Sequence, residues 1–355
     1  MIEEIEKIKN NQNIFEDLFI LELANNHWGC LDRGIKIIDA YAEIIKKNKI
    51  KAAIKLQFRD VPHFIHADFL NRADLRYVHK TQKTALSFQD FKILINHIKS
   101  HEIIPMATPF DEESVHWCEL FNLPIIKIAS SDINDWPLLH KIAELNKPVI
   151  CSTGGADLEK IDLMVKFFEK KNIDLAINHC VALYPTEDKD LNLNQIDLLK
   201  FRYKNHTIGF STHEYHDWSS SLLMAYAKGA RTFERHVDLD LGDYPVSPYC
   251  SLPHQINQWF EAYKTAKTMA GKNSGPREIS EQEKIYLNNL LRGVYAKRDL
   301  PKNYFLDFSD PKKLFEDIYL AIPLNPGQLS CQDLLLELEN GLELKQAVLK
   351  NQGVF

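Results

Sequence analysis

The sequence predicts a (β/α)8 TIM barrel followed by a small, mostly β domain, and three observations carry that expectation. Eight short apolar runs recur between residues 18 and 236. The runs close on polar clusters, and segments of helical periodicity lie between them. Beyond about residue 292 the chain alternates brief apolar runs with turn residues. Eight such units in about 220 residues suit a closed barrel better than an open doubly wound sheet, and near-continuous apolar strands are what burial on both faces requires.

The first strand is expected over 18–23, closing on Ala24-Asn25-Asn26-His27-Trp28-Gly29 and leading into a helix over 31–47. The second is expected over 52–58. Residues 59–86 are polar and aromatic and too long for an ordinary βα loop, so they are expected to fold over the barrel mouth. Further strands are expected over 103–108, 124–129, 148–153, 175–180, 206–211 and 230–234, with helices over 112–120, 138–144, 158–170 and 219–227 among the intervening segments. The barrel is placed in 1–270, a Gly/Pro-containing linker with a helical bridge in 271–291, and the small domain in 292–355.

At 355 residues, 45% hydrophobic and 26% charged, the chain can bury a sizeable core. A net charge of −6 argues against a nucleic-acid-binding surface. The six cysteines are scattered without CxxC spacing, and several sit inside apolar runs, which suits reduced core thiols. No apolar run approaches the ~18 residues needed to span a bilayer, and the N-terminus is charged, so no membrane association and a cytoplasmic location are expected.

In such a barrel, catalytic side chains project from the C-terminal ends of the strands. The residues closing the runs are Glu22, Asn26 and His27, then Lys55 and Gln57, Thr108, Lys127 with Ser130 and Asp132, Ser152 with Thr153 and Gly154, then Tyr184, His213 and His236. Two lysines with several hydroxyls and a glycine turn make a pocket for an oxyanion. A lysine inside an apolar strand is costly without a use, which favours function for Lys55 and Lys127 over a structural role. His213 alone reads equally well as a hydrogen-bonded core histidine. Its pairing with His236 on the next strand favours a shared divalent cation of the Mn, Zn, Co or Fe type. The turn at 152–155 also reads as a plain strand-to-helix connection.

The series Glu22-x-x-Asn25-Asn26-His27-x-Gly29, Lys55-x-Gln57, Thr108-Pro109-Phe110, Lys127-Ile128-Ala129-Ser130, Ser152-Thr153-Gly154, His179-Cys180-x-x-x-Tyr184-Pro185-Thr186, Gly209-x-Ser211-x-His213 and Glu234-Arg235-His236 resembles the sialic acid synthase (N-acetylneuraminate synthase) family, collinearly from about residue 18 to 252. The tail resembles that family's antifreeze-like (SAF) domain in size and place.

The resemblance implies condensation of phosphoenolpyruvate with an open-chain aldose acceptor, giving a 2-keto-3-deoxy sugar acid and phosphate. It implies that Lys55, Thr108, Lys127, Ser130 and Ser152 hold phosphoenolpyruvate. Glu22, Gln57 and Tyr184 face the sugar, and Glu22, Lys127 and Asp132 act in catalysis. His213 and His236 hold a divalent metal, manganese first with magnesium or cobalt as alternatives. A domain-swapped homodimer is implied as well.

The chain departs from the family on the sugar side. Val181-Ala182 stands where the family has a polar pair, Tyr244-Pro245-Val246-Ser247-Pro248 where it has Gly-Pro-Asp, and Asn325 where it has an arginine. These changes point to an acceptor other than N-acetylmannosamine. The alternative they leave open is a homologue that binds sugar or phosphoenolpyruvate without turnover.

Overall fold

The computed structural model describes residues 13–70, 72, 74–272, 275–307, 309–333 and 341–354. The chain folds as two compact units, divided between Gly271 and Lys272.

The first unit is a closed barrel of eight parallel strands in sequence order: β1 (Leu18–Ala24), β2 (Ala52–Phe58), β3 (Ile104–Pro109), β4 (Ile126–Ile128), β5 (Val149–Ser152), β6 (Leu175–Cys180), β7 (Thr207–Thr212) and β8 (Thr232–His236). Each apolar run has become a strand, with boundaries within about two residues of expectation. Between β1 and β2 lies α1 (Leu31–Asn48), which buries Ile37, Ile38, Tyr41 and Ile45 at helical spacing and stops at Lys49 in the left-handed region. The long segment after β2 carries α2 (Val61–Phe64) and α3 (Arg76–Lys83) before α4 (Phe88–Ser100), whose start is fixed by a capping box between Ser87 and Asp90. The remaining helices are α5 (Glu112–Leu120), α6 (Trp136–Glu144), α7 (Leu158–Lys170), α8 (Asn194–Arg202), α9 (Ser220–Ala227) and α10 (Pro253–Ala270).

Because successive side chains of a strand point to opposite faces, each strand serves two cores. Outward-facing residues pack beneath the helices. Phe19, for example, stacks on Phe233 at 5.0 Å and meets the edges of Trp259, Phe260 and Tyr263. Inward-facing residues at the N-terminal end, namely Leu18, Ile20, Ala53, Met106, Ile125, Ile150 and Ala176, form a separate apolar plug closed by Phe15. One or two inward positions further along the same strands, the interior turns polar.

The second unit carries α11 (Glu281–Asn288), β9 (Gly293–Ala296), β10 (Phe305–Leu306), α12 (Pro311–Asp317), β11 (Ile318–Ala321) and β12 (Leu342–Glu343). β9 pairs with β11 and β10 with β12, both antiparallel, around a small core that includes Val294, Leu306, Ile318 and Val348. This is the expected small β-rich tail. Among the described residues no helix is long and apolar enough to cross a membrane.

Candidate active site

Strand register assembles the polar layer. Glu22 pairs with Lys55 on one side and with His236 on the other, Gln57 with Thr108, Ser152 with Asn178, and Ser211 with Glu234. The Lys55 ammonium is buried between two carboxylates, in contact with Glu22 and 3.2 Å from Glu234, and it donates to Thr108 Oγ1 at 3.1 Å. Burial lowers the Lys55 pKa to about 8, against the pull of Glu234. Burial also works against the Glu234 carboxylate, but Lys127 and Lys55 outweigh it and hold Glu234 below the ordinary carboxylate range.

Lys127 differs from Lys55. Only 2% exposed, its Nζ donates to Ser152 Oγ at 2.7 Å and to its neighbour's carbonyl, Ile128 O, at 2.9 Å. Among the described residues it makes no ion pair. A buried ammonium whose direct hydrogen bonds go only to neutral oxygens, with Glu234 acting on it from further away, is suited to binding an anion. Gly154 closes this pocket by donating its backbone N–H to Ser130 Oγ at 2.9 Å, and a Cβ at Gly154 would come within 2.9 Å of that oxygen and 3.0 Å of the Ala182 methyl. The close approach, rather than turn geometry alone, accounts for the glycine.

His213 and His236 meet at the opposite side of the mouth, ring centroids 5.4 Å apart. Burial drives both pKa values down, to about 4 for His213 and well below the ordinary histidine value for His236. Both are therefore neutral at physiological pH. The contact of His213 Nδ1 with the Val181 carbonyl at 3.0 Å makes Nδ1 the protonated nitrogen and leaves Nε2 free as a donor atom. The donor set thus fits a divalent cation with two protein ligands and open positions. Among the described residues no third His, Cys, Asp or Glu converges with them.

Tyr184, half exposed, lays its ring on His213 at 3.9 Å and meets the edge of Tyr249 at 5.2 Å. Gln57 lines the mouth and accepts from Arg59 at 3.0 Å. Asp132 follows β4 in a short 3-10 turn, where burial raises its pKa while Arg59 and Lys127 oppose the rise. Asn26 and His27 follow β1 and make local contacts. Asn26 donates to Val237 O at 2.8 Å, and His27 is fully buried with its ring 6.3 Å from that of Phe91. The segment 59–86 contributes as expected to the mouth: Lys80 of α3 lies 5.7 Å from the Trp28 ring, which in turn stacks on Tyr244 at 4.7 Å.

Two features escape the strand-end reading. Glu234 belongs to the polar layer, and inward alternation from His236 would have found it. Arg235, which faces outward, forms a buried pair with Glu214 at 2.7 Å and donates to Glu214 O at 2.6 Å and Ser251 Oγ at 3.0 Å. That pair fixes the backbone directly beside both histidines. Residues 239–250 leave β8 and return to the same place. Asp238 N donates to Ser251 O at 3.3 Å, Ser251 N donates to His236 O at 2.8 Å, and the Tyr41 hydroxyl lies 2.7 and 2.6 Å from the carbonyls of Asp238 and Ser251.

Comparison with known proteins agrees with this architecture. A chain from Chromobacterium violaceum, assigned as spore coat polysaccharide biosynthesis protein E, superposes with a TM-score of 0.89 at 36% identity, covering 96% of this chain and 98% of that one. The N-acetylneuraminate-9-phosphate synthase of Drosophila melanogaster is 29% identical, with 89% of each chain covered. The N,N'-diacetyllegionaminic acid synthase of Campylobacter jejuni is 31% identical over 80% of this chain and 86% of its own length. The NeuB family profile matches residues 39–274, which span most of the barrel and both histidines. With that match and a mouth built from Lys55, Lys127, His213 and His236, the chain belongs to the NeuB family and is an enzyme of the sialic acid synthase type.

Proposed function

We propose that this chain joins phosphoenolpyruvate to an open-chain aldose, forming a 2-keto-3-deoxy sugar acid and releasing phosphate. The observation that carries the reading is Lys127, a buried ammonium facing Ser152 with no carboxylate partner among the described residues. The relatives named as synthases of N-acetylneuraminate 9-phosphate and of N,N'-diacetyllegionaminic acid support a sugar acid as product.

In this reading Lys127, Ser130 and Ser152 hold the phosphate and carboxylate of phosphoenolpyruvate, with Lys55 and Thr108 at the adjoining edge. C3 of the enol forms the new bond to the aldehyde carbon, the aldehyde oxygen takes a proton, water adds at C2, and phosphate leaves as the C2 carbonyl forms. Charge changes at every stage, so fixed ammonium groups around the enol stabilise the transition state more than the free substrates. Asp132, its pKa raised by burial, is suited to taking the proton that the attacking water releases. Glu22, held against Lys55, serves proton transfer or sugar orientation beside Gln57 and Tyr184. His213 and His236 would hold the metal, manganese first with magnesium or cobalt as alternatives. Such an ion supplies Lewis-acid polarisation of the aldehyde oxygen.

The acceptor differs from N-acetylmannosamine in this proposal. The Val181 side chain offers no polar atom and its carbonyl is taken by His213, while the Ala182 methyl lies against Gly154. By the same family resemblance, 292–355 is an antifreeze-like (SAF) domain that caps a partner's barrel in a homodimer acting in the cytoplasm. The test is phosphate release from phosphoenolpyruvate with manganese across a panel of neutral, N-acetylated and phosphorylated aldoses. Turnover with at least one aldose other than N-acetylmannosamine is expected. Turnover with N-acetylmannosamine alone overturns the acceptor assignment, and calorimetric binding of phosphoenolpyruvate without turnover on any aldose overturns the catalytic one.

A further inference from the structure

Outside the barrel, Asp39 on α1 faces His97 near the end of α4 and His101 just beyond it. We propose that these three side chains form a second metal site, for a borderline divalent cation of the zinc type, clipping α1 to α4. Both imidazole Nε2 atoms approach the same carboxylate oxygen, Asp39 Oδ1, at 2.7 Å from His97 and 2.9 Å from His101. One ligand atom from each of the three residues lies within 4.8 Å of the others. The two rings stand edge to face, at 88° and 4.9 Å between centroids, so their nitrogens reach the shared point from two directions.

Without a metal, two ring N–H groups crowd one oxygen. A divalent cation takes the place of the two Nε2 protons, each ring then carrying its single proton on Nδ1, and turns the three atoms into most of a tetrahedral shell, with water as the fourth ligand. The side chains are 28, 33 and 48% exposed, enough to admit an ion and that water. Their backbones are held on both sides. Ile37, Ile38 and Tyr41 surround Asp39, Leu94, Ile95 and Ile98 surround His97, and all six are buried. The i, i+4 spacing puts the two imidazoles on one face, and the C-terminal end of α4 carries the partial negative charge that favours a cation. Two imidazoles and one carboxylate select zinc, cobalt, nickel or copper over magnesium, which demands an oxygen shell. The site shares no residue with the barrel mouth and is independent of the proposed reaction.

The full chain carrying His213→Ala and His236→Ala, which lacks the mouth histidines, is titrated with cobalt and zinc. One equivalent of cobalt should bind with the visible absorption of a tetrahedral site, and zinc should raise the unfolding midpoint by about 5 °C, whereas about 1 mM magnesium should not. Adding His97→Ala and His101→Ala should weaken cobalt binding about 100-fold or more. No cobalt uptake below about 1 mM, or uptake unchanged by those two substitutions, overturns the proposal. If the mouth variant does not fold, the stoichiometry of the unmodified chain is compared with that of the His97→Ala/His101→Ala chain. A loss of one equivalent supports the site and an equal count overturns it.

Discussion

The two ends of the barrel interior are built from the same strands a few residues apart, yet they follow opposite rules. At the N-terminal end Leu18, Ile20, Met106, Ile125 and Ile150 fill the interior with apolar volume. At the C-terminal end the same strands present Glu22, Thr108, Lys127 and Ser152, all buried and polar, two of them ionisable. The first arrangement stabilises the barrel by removing apolar surface from water. The second costs stability, because ions held away from water are destabilising unless paired, and that cost is tolerable where a substrate completes the pairing. Stability and chemistry are thus separated along each strand.

Lys127→Ala tests the separation most severely. We expect kcat/KM for phosphate release to fall about 1000-fold or more, with the unfolding midpoint changed little, since the desolvation cost of the buried ammonium and its attraction for Glu234 are lost together. A midpoint that falls along with activity would make Lys127 a structural residue. Ile125→Ala, at the other end, should do the reverse. A cavity in the plug should cost about 2–5 kcal/mol in denaturant unfolding while the folded enzyme keeps its turnover number.

Tyr184→Ala sharpens the division inside the mouth itself. Removing the ring tilted against His213 should raise the KM for the acceptor about tenfold, leaving the KM for phosphoenolpyruvate within about twofold, because the oxyanion pocket lies across the barrel. The most gradual effect is in pH. Burial lowers the His27 pKa to about 4, far below its unfolded value of 6.5. Below pH 6.5 the unfolded chain binds a proton that the folded chain refuses, so stability is lost as pH falls from 6.5 towards 4, by up to ~1.4 kcal/mol per unit from this residue. Thermal unfolding of His27→Gln across that window should show a shallower slope than the unmodified chain, and an identical slope would remove His27 from the account.

The strands are legible in the sequence because burial on both faces leaves uninterrupted apolar runs, and strand-end lysines and histidines stand out against them. Register is not legible. Lys55 and Lys127 look alike as lysines in apolar strands, and only the fold shows one clamped between Glu22 and Glu234 and the other left to neutral oxygens. Asn26 and His27 carry the same polar strand-end signal as Glu22, but Asn26 is tied to Val237 and Cys250 and His27 packs beside Phe91, and no periodicity reports those partners. Glu234 was within reach of simple alternation. Val181 illustrates the converse, since its part in the site is a backbone carbonyl that any residue supplies.

The neck at which residues 239–250 leave and rejoin β8 has a consequence for descent. Asp238 and Ser251 are tied to each other and to Tyr41, while Arg235 and Glu214 lock the histidines from behind. Loop closure grows only slowly more costly with length. A segment clipped this way behaves as a cassette: apart from Tyr249, whose ring meets that of His236 at 5.2 Å, it can be lengthened, shortened or rewritten between its anchors. New acceptor preferences could then arise through changes confined to that cassette, on a barrel that stays the same.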